Sequence, residues 1–168
     1  MRQAQGMTLM ELLVALALLA LLAALAIPAL DGLRLNASRA ATMEGLLRAA
    51  WYARSEAGRR GSAVMLCPAG SSGACTPQRD AWSRGWTVAV AAAPDAPLRT
   101  GPGVRHARVA LLANRDAFTF ETRDRRSTNG TLAWCDPRGE AASRALVISP
   151  TGRPRLERGS GALECERP

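Results

Sequence analysis

The 168-residue sequence has no lysine and a single histidine, His106. All 22 basic side chains are therefore arginines, and the net charge is +8. No nucleophile stands beside a His/Asp arrangement and no paired acids suggest a catalytic cleft, so the sequence gives little support to catalysis. An acidic cluster of the kind that binds calcium is also lacking. We expect no enzyme, no metal site and no cofactor.

The missing lysines make this an arginine-only basic protein. Arginine forms bidentate contacts with phosphate, which a lysine point charge makes less well. A basic domain attracts nucleic acid, anionic lipid or acidic partners without discriminating among them. Three acids have an arginine within two residues and are interpreted as surface charges: Asp116, Asp124 and Asp136.

A long apolar run occupies the N-terminal part of the chain. From Leu12 to Leu30 every residue is Leu, Ala, Val or Ile except Pro28. A helix needs roughly 20 apolar residues to cross a bilayer, so this run is long enough. Glu11 lies at its start, where a carboxylate costs free energy unless it finds a partner. We interpret Glu11 as functional; the alternative is an acid that favours the helix N-terminus.

The stretch Gly6-Met7-Thr8-Leu9-Met10-Glu11, preceded by Arg2, resembles the processing site of type IV pilins and type II secretion pseudopilins. The resemblance implies that a prepilin peptidase cuts after Gly6 and methylates the new N-terminus, Met7. It also implies that Glu11 pairs with the N-terminal amine of a neighbouring subunit during assembly. The alternative is a secretory signal peptide, which usually has a shorter apolar core.

Four segments follow from this interpretation. Residues 1–6 are a leader, 7–30 a transmembrane and filament-core helix, 31–58 the amphipathic half of the same helix, and 59–168 a globular β-rich domain with an arginine-rich tail. Pro28 is expected to kink the helix, and glycines at 58 and 61 to end it. The predicted fold is α+β, a long N-terminal helix packed on a small antiparallel sheet domain.

Short strands are predicted at 63–67, 86–90, 109–112, 118–121, 131–135 and 145–149. The Pro/Gly-rich residues 93–103 are predicted to be a connection. Cys67-Pro68 and Trp82-Ser83-Arg84-Gly85-Trp86 resemble elements of the GspH/FimT branch of the pilin family. The two tryptophans are predicted to pack in the core; the alternative is that they stack on bases.

All four cysteines follow the apolar run: Cys67, Cys75, Cys135 and Cys165. An even number in an extracytoplasmic domain is typical of disulfides, and three connectivities are possible. We favour Cys67–Cys75, a local loop closure, and Cys135–Cys165, which would tie the C-terminal tail to a core strand. A zinc site is the competing interpretation, but C-x-x-C spacing is absent.

A second motif, Gly152-Arg153-Pro154-Arg155 with Arg158 close behind, follows the last predicted strand. Glycine lets the backbone reverse and Pro154 holds it extended, so Arg153 and Arg155 can fork onto phosphate oxygens. The motif resembles the C-terminal motif of FimT-type minor pilins, a group implicated in binding DNA for natural transformation. The alternative is a solvated turn whose arginines pair with Glu157, Glu164 and Glu166. Other arginines could widen the surface: Arg59, Arg60, Arg105, Arg108, Arg123, Arg125 and Arg126.

The resemblance thus implies a minor type IV pilus subunit that binds duplex DNA without sequence preference, because phosphate contacts do not specify bases. Its implied partners are other pilin or pseudopilin subunits, a prepilin peptidase, DNA and the inner membrane, with the globular domain in the periplasm. The alternative is a type II secretion minor pseudopilin at the tip of a pseudopilus, without DNA binding.

Overall fold

The computed structural model describes residues 8–104, 106, 108–122 and 127–165. The predicted processing residues Gly6 and Met7 lie outside them. Within the described residues the chain forms one long helix, two four-stranded antiparallel sheets and two short 3₁₀ helices. The predicted α+β class, with a long N-terminal helix packed on antiparallel sheets, is confirmed. The chain divides into two compact units at Ala37/Ser38.

The first unit holds the N-terminal part of the helix α1 (Leu9–Arg60). Thr8 caps this helix, because its Oγ1 accepts a hydrogen bond of 3.3 Å from the Glu11 N–H. In the described part of the chain α1 is the one helix long and apolar enough to cross a membrane, and none of its most apolar stretch is buried. The helix runs on past Pro28, and the kink expected there stays a prediction.

In the second unit, residues 38–60 of α1 bury one face. Met43, Leu46, Ala50, Ala53 and Ala57 recur at spacings of three and four residues and are at most 2% exposed. This is the apolar stripe by which an amphipathic helix packs on a sheet. Most of its members are alanines.

The helix ends at Arg60, two residues beyond the predicted end. Glu56 holds the last turn together, accepting hydrogen bonds from Arg59 Nε (3.0 Å) and Nη2 (2.7 Å) and from Arg60 Nε (2.6 Å). These bonds stabilise the carboxylate and lower the pKa of Glu56 to about 2. Gly61 follows with a φ of +67°, the left-handed conformation typical of a helix C-cap.

Eight strands form the two sheets. They are β1 (Val64–Pro68), β2 (Gly85–Val90), β3 (Ala93–Pro102), β4 (Ala110–Ala113), β5 (Phe118–Phe120), β6 (Gly130–Cys135), β7 (Arg144–Ile148) and β8 (Pro154–Arg158). The first sheet has the order β3-β2-β1-β5 and the second the order β4-β6-β7-β8. The 3₁₀ helices are Arg79–Arg84 and Glu140–Ala142. The six predicted strands are present, with ends shifted by at most one residue.

Two strands contradict the prediction. Residues 93–103 were predicted to be a connection, yet β3 pairs with β2, and the arginine-rich tail contains β8, which pairs with β7. Both lie at the edge of a sheet, where a missing proline N–H is tolerated because one side of the strand has no partner. In β8 the proline is also the first residue. Because proline is unusual within a strand, these two segments could not be recognised as strands from the sequence.

Large aromatic side chains of the strands and of the first 3₁₀ helix lie in the core. Trp82 and Trp134 are fully buried, and Trp86 is 7% exposed. The Trp82 ring lies 5.6 Å from that of Phe118 between centroids, and its Nε1–H donates to the Arg115 carbonyl at 3.1 Å. The prediction that Trp82 and Trp86 pack in the core is confirmed, and neither offers a face for base stacking.

Both disulfides favoured from the sequence are present. Cys67 pairs with Cys75 across 5.6 Å between Cα atoms, and Cys135 pairs with Cys165 across 5.5 Å. The second bridge closes a loop that contains β7 and β8. Since all four cysteines are in disulfides, none is available as a zinc ligand.

The Glu56 interactions predict a specific pH dependence. The Glu56→Gln variant should have a lower free energy of unfolding than the wild type in urea at neutral pH, followed by tryptophan fluorescence. Because the folded pKa of about 2 lies below the ordinary value of 4.5, the stabilisation is complete above 4.5. The stabilisation is lost as the pH falls from 4.5 through 2. The difference in the free energy of unfolding between the wild type and Glu56→Gln should therefore shrink over this pH interval. Glu44→Gln, which breaks only an exposed pair with Arg48, is the control. A difference independent of pH would contradict this explanation.

Candidate nucleic-acid interface

The turn between β7 and β8 is held by Ser149. Its carbonyl accepts a hydrogen bond from the Gly152 N–H at 2.8 Å, and its Oγ accepts one from the Arg153 N–H at 3.1 Å. Its own N–H donates to the Arg153 carbonyl at 3.1 Å. Gly152 has a φ of +70°, which an L side chain rarely adopts. The turn therefore has a fixed backbone, and its conformation favours glycine at position 152.

Ser127 fastens this turn to the first sheet. It is 8% exposed, its N–H donates to the Pro150 carbonyl at 3.1 Å, and its Oγ accepts from the Glu121 N–H at 3.2 Å. A Cβ added at Gly152 would lie 2.7 Å from Ser127 Oγ. Ser127 is not predicted from the sequence, because nothing in its neighbourhood signals a contact with a residue 25 positions away.

The arginines of the motif project in different directions. Arg153 is exposed in the turn, and Arg155 is exposed on β8. Side chains alternate along a strand, so Arg155 and Arg158 lie on opposite faces of β8. The face of Arg158 also carries Pro154, which is buried opposite Ile148. The structure therefore leaves Arg153 and Arg155 exposed in and just after the turn and separates Arg158 from Arg155.

One predicted alternative is partly realised. Arg155 Nε donates to Glu157 Oε1 at 2.7 Å, with side chains 59% and 38% exposed. An exposed ion pair of this kind contributes at most about 1 kcal/mol. A phosphate group could therefore take the place of Glu157 at little cost, and the pair leaves Arg155 accessible.

The arginines outside the motif do not extend it uniformly. Arg59 and Arg60 are bound to Glu56 at the end of α1. Arg108 lies next to residue 107, which is outside the described residues. Four others lie outside the described residues: Arg105, Arg123, Arg125 and Arg126. These side chains give no grounds for enlarging the interface beyond β8 and its neighbours.

The burial of Asp136 contradicts a prediction. It was interpreted as a surface charge, but its side chain is fully buried and accepts hydrogen bonds of 2.8 Å from Arg138 Nε and Nη2. The Arg138 hydrogen bonds hold the pKa of Asp136 below its usual value, against the effect of burial. Asp116 is exposed and pairs with Arg79 at 3.6 Å, as a surface charge should.

Comparison with known proteins gives the chain a family context. Residues 42–152 match the family model described as Type II transport protein GspH, and residues 1–27 match the prokaryotic N-terminal methylation motif. Two crystal structures of the type IV minor pilin FimU from Pseudomonas aeruginosa strain PAO1 are similar, both with 27% sequence identity. Their TM-scores are 0.57 and 0.54, covering 76% and 73% of this chain and 93% and 94% of FimU. No curated protein matches the sequence significantly.

The family match ends at Gly152. Arg153, Arg155 and Arg158 lie beyond the matched residues, so the match describes the scaffold and not the arginines that it presents. What these arginines can bind depends on the geometry of the turn and of β8.

A substitution at Gly152 tests the constraint on the turn. Gly152→Ala should lower the free energy of unfolding by about 1 to 2 kcal/mol for the left-handed backbone, and further because its Cβ would meet Ser127. Gly61→Ala is a matched control, since Gly61 has a φ of +67° and its Cβ would meet nothing within 4 Å. Urea unfolding of both variants measures the difference. Equal losses would show that the Ser127 contact does not matter.

Proposed function

Because the chain belongs to the family of the type II transport protein GspH, we propose that it is a minor type IV pilus subunit that binds DNA for uptake in natural transformation. The family consists of pilin and pseudopilin subunits, which are structural proteins that a prepilin peptidase processes and that assemble with other pilins. We place cleavage after Gly6 and methylation at Met7. The apolar part of α1 then spans the inner membrane, with the globular domain in the periplasm.

The observation that carries the DNA-binding proposal is the exposure of Arg153 and Arg155 on a fixed backbone. Both guanidinium groups lie in or just after a turn that hydrogen bonds hold in place, and β8 is an edge strand with one side open. A preorganised site loses less conformational entropy on binding than a flexible tail does. Contacts of this type recognise the phosphate backbone and not the bases.

We assign the role in filament assembly to Glu11. Its N–H is used by the Thr8 cap, and the residue itself is exposed in the first turn of α1. A carboxylate in an apolar environment gains from pairing with an amine, since opposite charges attract strongly where the dielectric constant is low. The amine at Met7 of a neighbouring subunit would satisfy Glu11 during assembly.

Replacement of Glu11 separates processing from assembly. Glu11→Ala and the isosteric Glu11→Gln should both be cleaved by prepilin peptidase like the wild type but should be depleted from sheared filaments, because neither carries the charge. Immunoblots of membrane and filament fractions measure both effects. Thr8→Ala, which removes the cap and keeps the carboxylate, is the control. Normal incorporation of Glu11→Gln would refute charge pairing.

The second candidate is a minor pseudopilin of a type II secretion system. The name of the matched family, a type II transport protein, favours it. In that case the subunit would contact other pseudopilins at the tip of a pseudopilus, and β8 would have no part in DNA binding.

A titration with DNA distinguishes the two candidates. The full-length protein in a non-ionic detergent is titrated with fluorescent duplex DNA at several salt concentrations. Arg153→Ala combined with Arg155→Ala should weaken binding by about tenfold or more and reduce the salt slope by about two, because two phosphate contacts are lost.

The matched control is Arg79→Ala combined with Arg84→Ala. It removes two exposed charges from the 3₁₀ helix Arg79–Arg84, which contacts β4 at the other edge of the second sheet. An equal loss in both double variants would mean that only the net charge matters and would refute the assigned site. A wild type that does not bind DNA would favour the pseudopilin.

A further inference from the structure

A pocket of about 260 Å³ lies between α1 and β8. Arg39, Met43 and Glu44 line it from the helix, and Arg144, Leu156, Glu157 and Arg158 line it from the sheet. Three of these side chains are guanidinium groups from three different elements. Of the three, only Arg158 is a candidate binding residue from the sequence.

The strand register sets two of these arginines side by side. Arg144 of β7 is directly opposite Arg158 of β8. Like charges in this arrangement destabilise a sheet, because their Cβ atoms are about 5 Å apart. Arg39 adds a third positive charge from the helix above them. The repulsion among these charges raises the free energy of the folded protein, and a bound anion would reduce it.

The surrounding acids offset the charge of the three arginines only in part. Glu44 pairs with Arg48, and Glu157 pairs with Arg155. The buried Asp136 accepts two hydrogen bonds of 2.8 Å from Arg138 and forms a longer ion pair with Arg39, whose Nη1 lies 3.9 Å from Asp136 Oδ2.

Two of the arginines donate hydrogen bonds to backbone carbonyls. A carbonyl carries no net charge, so these bonds do not neutralise the guanidinium groups. Arg39 Nη1 donates to the Ala142 carbonyl at 2.5 Å, and Arg144 Nη1 donates to the Ser143 carbonyl at 2.6 Å. Burial, and after it repulsion from Arg144, lowers the pKa of Arg39 below its usual value. Both effects disfavour the charged guanidinium, so an anion beside it would be stabilising.

We propose that Arg39, Arg144 and Arg158 form a phosphate-binding pocket that holds one phosphodiester group of the DNA bound at Arg153 and Arg155. This inference rests on the proposed function. Arg155 and Arg158 are three positions apart on β8, roughly 10 Å of strand. Three nucleotides along a duplex strand rise by a similar distance, at about 3.4 Å each. A DNA backbone that follows the open edge of β8 can therefore meet arginines on both faces of the strand.

The test uses Arg158, because a change at Arg39 would also release the Ala142 carbonyl and Asp136. In the full-length protein, Arg158→Ala should weaken duplex binding by about threefold to tenfold and reduce the salt slope by about one. Arg158→Lys retains the charge and should keep most of the affinity. Arg79→Ala should bind within about twofold of the wild type.

Wild-type affinity in Arg158→Ala, together with loss of binding in the Arg153/Arg155 double variant, would overturn the pocket and leave the proposed function intact. A wild type without affinity for DNA would refute the proposed function instead. If Arg158→Ala lost affinity for phosphatidylglycerol vesicles but not for duplex, the assignment to DNA would be overturned.

A titration with inorganic phosphate tests the pocket without DNA. In protein labelled with ¹⁵N-arginine, the Nε–Hε resonances of Arg39 and Arg158 should shift in a saturable manner, and Arg144→Ala should abolish the shift. Shifts confined to Arg153 and Arg155, or none at any arginine, would overturn the pocket.

Discussion

A single left-handed residue, Gly152, fixes the strand on which the proposed interface depends. Its φ of +70° lets the chain reverse after β7, and the absence of a side chain lets it lie against Ser127. The Cys135–Cys165 disulfide closes the same region from its other end. The arginines after Gly152 therefore lie on a strand with fixed spacing and not on a free tail. That spacing sets the distances at which these arginines can meet the phosphates of a duplex.

The features that could be predicted from sequence are those that depend on local chemistry. The apolar helix, the alternating strands and the turn at Gly152 follow from composition and from the backbone preferences of single residues. The disulfide pairs were favoured because one closes a short loop and the other anchors the chain end. The burial of Trp82 and Trp86 follows from the scarcity of other large aromatic side chains.

The features that could not be predicted depend on partners distant in the chain. The strands β3 and β8 contain prolines, and only their position at a sheet edge makes those prolines acceptable. Arg39 donates to the carbonyl of Ala142, 103 residues away. The burial of Asp136 likewise results from tertiary packing. A pattern in the sequence around any of these residues carries no sign of the contact.

The two ends of the chain indicate different properties of the protein. The N-terminal motif and the GspH match place the chain among pilin-like subunits, and both end at or before Gly152. The arginines that follow would decide which filament the subunit serves. A scaffold shared by pili and secretion systems can acquire a DNA-binding edge through a few side chains, because function resides in the site and not in the fold.

The central claim, that DNA lies along β8, is tested most directly by site-specific photo-crosslinking. A photoreactive residue is placed at the exposed Thr151, beside the arginines, and in a separate variant at the exposed Gln78, before the 3₁₀ helix Arg79–Arg84. The full-length protein is irradiated with labelled duplex. The account predicts a covalent DNA adduct from position 151 and little from position 78. Equal yields, or an adduct from position 78 alone, would contradict it.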